Sequence, residues 1–187
     1  MTSVCAKMAE ARSCGDCTVC CIVPGIDTPQ IQKITGAVCR NCGDGGCAIY
    51  ETRPRACREF SCAWLDGALD EGWRPDLSGV LSQSVSLQGR AGMSLLLFAD
   101  PLKTVRQGWF VDYVQQLLRD GVPLVLAVPG PKGSRSAKLL LQAEEFGRAA
   151  AGSPEQLRQV LRRAVKTLME SEFEPLVLLN SGHDVSC

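Results

Sequence analysis

The sequence predicts an α+β fold, in which a cysteine-rich module over residues 1–66 is followed by a small mixed α/β layer over residues 67–187 packed on it. Three observations predict it. Nine of the eleven cysteines fall between Cys14 and Cys62. Strand-like apolar runs follow at 80–88, 93–100 and 122–128. Helical periodicity then marks 103–120 and 154–171.

A chain of 187 residues suits one domain, or one domain with a small module. The apolar fraction of 45% is ordinary, but only 5% of residues are aromatic, so the core must rest on Leu, Val and Ala. Net charge is zero, and each part balances on its own: residues 1–66 carry seven Lys/Arg and seven Asp/Glu, residues 67–187 thirteen of each. No basic domain is present to attract nucleic acid by charge. The opening residues lack the apolar run of a signal peptide, and the longest apolar runs, such as LVLAV at 124–128, are too short to span a bilayer. The expectation is a cytoplasmic protein with no membrane partner. There thiols stay reduced, which favours metal binding over disulfides; an exported chain would instead pair eight of the nine.

Taken in order, residues 1–12 suit a short helix. TPQIQKITG (28–36) reads as a helix start, with Thr28 as N-cap, Pro29 at N1, and Ile31 and Ile34 supplying an apolar contact. CRNCGDGGC is turn chemistry, with glycines at 43, 45 and 46. Pro54 disfavours helix at Arg53 and suits N1 of a short helix carrying Cys57. A boundary is expected near 66–76, with Trp73 packed back on the module. Residues 80–88 and 93–100 form a β-hairpin joined through Gly89, Arg90, Ala91 and Gly92. Helix 103–120 places Val105, Trp109, Val114, Leu117 and Leu118 on one face. VPLVLAV is a buried strand. Helix 154–171 has Ser153 as N-cap, Pro154 at N1 and an apolar face of Leu157, Val160, Leu161, Val165 and Leu168.

The cysteines are spaced like metal ligands: C-x2-C-x2-C-C (Cys14, Cys17, Cys20, Cys21), C-x2-C-x4-C (Cys39, Cys42, Cys47) and C-x4-C (Cys57, Cys62). Thiolates are soft, anionic donors suited to zinc and iron, and a C-x2-C turn can place two sulfurs on one ion. One zinc or one cubane cluster needs four ligands, so nine thiols allow two sites with one spare, or one site with several non-ligands. Adjacent Cys20 and Cys21 diverge in an extended backbone and would serve different sites, or leave one free. Four thiolates leave a net charge of −2 on either centre. Arg40, Arg53, Arg55 and Arg58, all beside the ligand segments, are candidates to supply hydrogen bonds to sulfur, with solvated surface arginines as the alternative. Ile49, Tyr50, Phe60 and Trp64 would form an apolar shell.

The run C-x2-C-x2-C-C, followed by C-x7-C-A-I-Y-E-T-R-P-R-A-C-R-E-F-S-C-A-W-L, resembles the zinc- or iron-chelating cysteine-cluster family, small bacterial proteins named for their CxxCxxCC signature. The resemblance covers residues 14–66. It implies that Cys14, Cys17, Cys20, Cys21, Cys39, Cys47, Cys57 and Cys62 match the family's cysteines, with Cys42 an extra thiol. It also implies a bound zinc or an iron–sulfur cluster. A related cluster accompanies iron and sulfur in a flagellin lysine methylase, but no S-adenosylmethionine site is recognisable here.

Other candidates are weaker. His183, the single histidine, lies in a polar tail; Cys5 and Cys187 read as free thiols. GPKGSRSAK (130–138) is Gly-rich and basic through Lys132, Arg135 and Lys138, but lacks phosphate-loop spacing and reads as an exposed loop. Arg158, Arg162, Arg163 and Lys166 read as a solvated helix face. No Ser/His/Asp or Cys/His catalytic set is available. The expected function is therefore metal binding through clustered thiolates, the metal structural and the remainder recognising a protein partner. An iron–sulfur redox or maturation protein, and metal storage or delivery, are the alternatives.

Overall fold

The computed structural model describes residues 12–60 and 62–178. Cys5, His183, Cys187 and, apart from Arg12, the helix expected over 1–12 lie outside them. The fold is α+β, with 36% helix and 23% strand.

The module is built from very short pieces. A single helical turn, α1 (Val19–Ile22), follows the first cysteines. Next come strands β1 (Ile26–Thr28) and β2 (Ile31–Lys33), which pair antiparallel. The helix expected at Thr28 is thus a hairpin. Pro29 and Gln30 form its turn, and the Thr28 hydroxyl closes it, accepting from Ile31 N–H at 3.3 Å and donating to Ile31 O at 3.1 Å. The same Thr-Pro pair that can open a helix also pre-sets a turn, and the alternation of buried Ile31 and Lys33 with exposed Gln32 decides for strand. β3 (Cys42–Gly43) and β4 (Gly46–Cys47) make a second hairpin around Asp44-Gly45. α2 (Arg55–Glu59) carries Cys57, with Pro54 at its N-cap rather than at N1.

α3 (Pro75–Ser78) leads into the main sheet. β5 (Val80–Leu87) and β6 (Arg90–Leu97) pair along their full length. Their turn is Gln88-Gly89, both at positive φ (52° and 76°), so the strands run further than the four-residue link expected from the glycines. The expected helix over 103–120 is broken into α4 (Pro101–Thr104), capped by Asp100 accepting from Lys103 N–H at 2.9 Å, and α5 (Gly108–Arg119). Val105, Phe110, Val111 and Val114 are buried, while Trp109 stays 40% exposed. β7 (Leu124–Val128), buried throughout, lies parallel to β6, and β8 (Ala137–Leu140) pairs antiparallel with β7. α6 (Glu144–Ala151) and α7 (Pro154–Met169) follow. Ser153 and Gln156 form a full capping box at the start of α7.

The sheet order is β5-β6-β7-β8. One face, with Val80, Leu95, Leu97, Leu124, Leu126 and Val128, packs with α5, α6 and α7 into a single apolar core. Register aligns Leu81, Leu96, Ala127 and Lys138 in one row of the opposite face, and Gln83, Ser94, Val125 and Leu140 in the next. The module joins this sheet directly: Cys62 bridges Gln83, and Ala63 N–H donates to Ser82 O at 3.0 Å. Ala63 and Trp64 already belong to the main core. Trp73 packs on α5 rather than on the module, with ring centroids 4.5 Å from Tyr113 and 4.7 Å from Trp109. Among the described residues no helix is long and apolar enough to cross a membrane.

Candidate functional site

All nine cysteines of the module are free thiols, and eight of them line one cavity of about 300 Å³. These are Cys14, Cys17, Cys20, Cys21, Cys39, Cys47, Cys57 and Cys62; Cys42 is not in its wall. Local turns bring them in. Cys17 N–H donates to Cys14 O at 3.0 Å and Cys42 N–H to Cys39 O at 2.9 Å, so both C-x2-C segments are closed turns. Cys39 N–H donates to Cys21 O at 2.9 Å and fastens the second segment to the first. Ala48 N–H donates to Asn41 O at 2.8 Å, which makes the neighbouring Cys42/Cys47 pair the close, non-hydrogen-bonded kind.

The thiols fall into two neighbourhoods. Burial pushes the Cys20 thiol up to about 11, and Cys14, Cys17 and Cys62 beside it add to the shift. Those same four cysteines line a small second pocket with Val19, Trp64 and Pro75. Burial also raises Cys21, whose other thiol neighbours include Cys42 and Cys47, and raises Cys57, beside Cys39 and Cys47. Cys20 and Cys21 share helical turn α1 rather than an extended strand, so the divergence expected of them does not arise: their thiols are hydrogen-bonded to each other and link the two neighbourhoods. Among the described residues, no three His, Cys, Asp or Glu side chains stand close enough to share an ion. The sulfurs surround a space rather than a point.

Burial disfavours thiolate at Cys17 and Cys62, and backbone N–H groups oppose it only in part. At Cys17 these are the N–H groups of Val19 and Asp76, and at Cys62 those of Leu65 and Trp64. Such N–H donors stabilise the charged sulfur. Trp64, in the wall of the small pocket, has a buried indole N–H without an acceptor among the described residues. Buried Lys33 donates its ammonium to Ile22 O at 2.9 Å and Ala37 O at 3.0 Å. Burial pulls it below the usual lysine range, and Cys39, Cys21 and Cys20 act the other way. Sulfur donors, backbone N–H groups and one ammonium are thus gathered round the cavity.

Of the four arginines singled out in the sequence, Arg53 lines the cavity. Its guanidinium lies 3.6 Å from the Tyr50 ring centroid and donates to Tyr50 O at 2.7 Å. Arg40, Arg55 and Arg58 are exposed, and Arg55 pairs with Glu59 at 2.6 Å. Helix α2 turns Cys57 inward and Arg55 and Arg58 outward. The expected apolar shell is present: Ile49, Tyr50 and Phe60 line the cavity with Ile26 and Ile31, and Trp64 lines the small pocket. The Tyr50 hydroxyl is pushed up by burial and by the Cys14 thiol beside it.

Four residues were missed by sequence reasoning. Lys33 lay inside a supposed helix, and its period-two alternation with Ile31 was the available signal. Arg74 bonds Asp16 at 3.2 Å and Asp76 at 2.6 Å, and Asp76 reaches Cys17. Arg12 donates to Trp64 O at 2.7 Å and pairs with Glu71 at 3.1 Å. Together Arg12 and Arg74 clamp the first cysteine turn to residues 64–76.

Compared with known proteins, the chain matches no family model, no curated protein and no solved structure. The resemblance over residues 14–66 rests on the residues that carry it.

Proposed function

We propose that this chain is a metal-binding protein holding metal on two four-thiolate sets. The observation that carries the reading is that eight cysteines from three separate segments line one cavity. The first set is Cys14, Cys17, Cys20 and Cys62. The second is Cys21, Cys39, Cys47 and Cys57. Cys42, outside the wall and the extra thiol of the resemblance, is the spare.

Bound zinc supplies structural closure, and an iron–sulfur cluster would add one-electron chemistry. The chain's own residues supply the rest. Backbone N–H groups of residues 19, 64, 65 and 76 hold thiolate charge on the first set, and Lys33 offsets it around Cys20, Cys21 and Cys39. Phe60, Ile26, Ile31 and Ile49 keep water away. A module with so little apolar core is the kind that metal stabilises, which favours a structural role. Nine free thiols suit the reducing cytoplasm, and exposed Leu77, Trp109 and Val38 are available to a protein partner.

Metal and acid-labile sulfide are to be measured on protein purified anaerobically without added metal. Two zinc ions, or two clusters with matching sulfide, are expected per chain. Cys20→Ser and Cys57→Ser should each remove about half the metal, and Cys42→Ser none. Protein without zinc, iron or sulfide, or equal loss in all three variants, would overturn the assignment.

A further inference from the structure

The basic segment GPKGSRSAK takes no part in the metal reading, yet it is held too firmly to be a loose surface loop. It connects β7 to β8 and is stitched on both sides. Gly133 N–H donates to Thr35 O at 3.0 Å, Leu176 N–H to Gly133 O at 2.8 Å, and Arg135 N–H to Glu174 O at 2.7 Å. The loop is thereby tied to the cysteine module and to the C-terminal segment. Gly25 completes the junction: a Cβ there would meet Leu176 Cδ2 at 2.3 Å and Thr35 Oγ1 at 2.8 Å, so any side chain at this position would force Leu176 and Thr35 to shift.

Between these segments and the sheet face opposite the helices lies a cavity of about 400 Å³. This is within the range of small-molecule sites, about 300–1,000 Å³. Its polar lining is Thr35, Gln83, Ser94, Arg135, Ser136 and Lys138, with no Asp or Glu among the described residues. Neither Arg135 nor Lys138 is in an ion pair among the described residues. Lys138 stands on the sheet in register with Ala127, and Arg135 enters from the stitched loop. Two cations, hydroxyls and an amide converging without a carboxylate form a lining complementary to an oxyanion. The guanidinium offers a planar fork and the ammonium a point charge.

We propose that this cavity binds a small polyanion through Arg135 and Lys138, its oxyanion groups being phosphate or carboxylate. The proposal stands apart from the metal reading, because no cysteine among the described residues lines this cavity. The two cavities nevertheless share a wall at Pro24, Gly25 and Phe60. The rival account is that Lys138 is an edge-strand lysine guarding β8 against pairing.

The test titrates the full chain, with its metal content as purified, with pyrophosphate and separately with citrate. Ionic strength is held constant and heat is read by calorimetry. At least one probe should bind saturably, with Kd of about 1 mM or tighter. The double variant Arg135→Gln/Lys138→Gln should weaken it by about tenfold or more, and Lys132→Gln on the same loop should leave it unchanged. Pyrophosphate alone would point to phosphate ligands, and citrate alone to carboxylates. Saturation by neither probe, or equal weakening in Lys132→Gln, would refute the site. Thermal melting of the variants checks that the fold is intact, which the exposure of both side chains favours.

Discussion

The module of residues 14–62 and the layer that follows it are held by different forces. From Ala63 onward, buried Leu, Val, Phe, Trp and Ala form one continuous core around the sheet. Within the module the buried hydrophobic residues are Val19, Ile31 and Cys39, and Lys33 and Thr35 are buried with them. Apolar burial stabilises the layer by its own area. The module instead rests on turns, two short hairpins, an arginine clamp and nine thiols. One chain thus carries a region built on packing and, on the metal reading proposed above, a region whose stability is set by side-chain chemistry.

The largest separation of the two should come from the layer's core. Phe110 is fully buried, and Phe110→Ala is expected to cost about 3–5 kcal/mol. Denaturant unfolding should show that loss, while metal per folded chain stays at the wild-type value. A proportional loss of metal would mean that the two regions are not energetically distinct.

Lys33→Met sharpens the comparison from the module's side. It removes an ammonium that two carbonyls hold near Cys20, Cys21 and Cys39. Metal affinity, measured by competition with a chelator, is expected to fall about 10- to 100-fold. The β5–β8 sheet should keep its hydrogen-exchange protection.

The gentlest probe is pH. In the chain stripped of metal, burial pushes the Cys20 thiol up to about 11 from its ordinary 9.0. The unfolded chain releases that proton first, so its contribution to stability is complete below pH 9.0 and is lost as pH rises through about 11. With metal bound the sign reverses: the sites hold thiolates, each ligation displaces a proton, and retention improves with rising pH and fails on acidification. Melting curves should fall between pH 9.0 and about 11 for the stripped chain, and rise with pH below 9.0 and then level for the metal-loaded chain.

Much of the layer was legible because its signals are local. Ser153-Pro154 and the periodic Leu and Val residues marked α7, and LVLAV marked β7. The parallel pairing of β6 with β7 is set by packing between distant segments, which one strand's pattern does not encode. β8 and α6 were missed: the strand is four residues long, and the helix is only eight, with no side-chain cap and Phe146 as its one large apolar residue. The thiols were legible by residue type and spacing. Their partition was not, since Cys62 joins Cys14, Cys17 and Cys20 from some forty residues away, through the bridge to Gln83. Proximity in sequence also misdirected the search for charge partners. Arg55 and Arg58 flank Cys57 yet sit on the outer side of α2, whereas Lys33, Arg74 and Asp76 reach the thiols from segments read as helix or turn.

The most direct test is hydrogen exchange on the purified chain before and after metal is removed by chelation under reducing conditions. Protection should collapse within residues 14–62 and persist in β5–β7, α5 and α7. A module that keeps its full protection once stripped of metal, or a layer that unfolds together with it, would contradict the account.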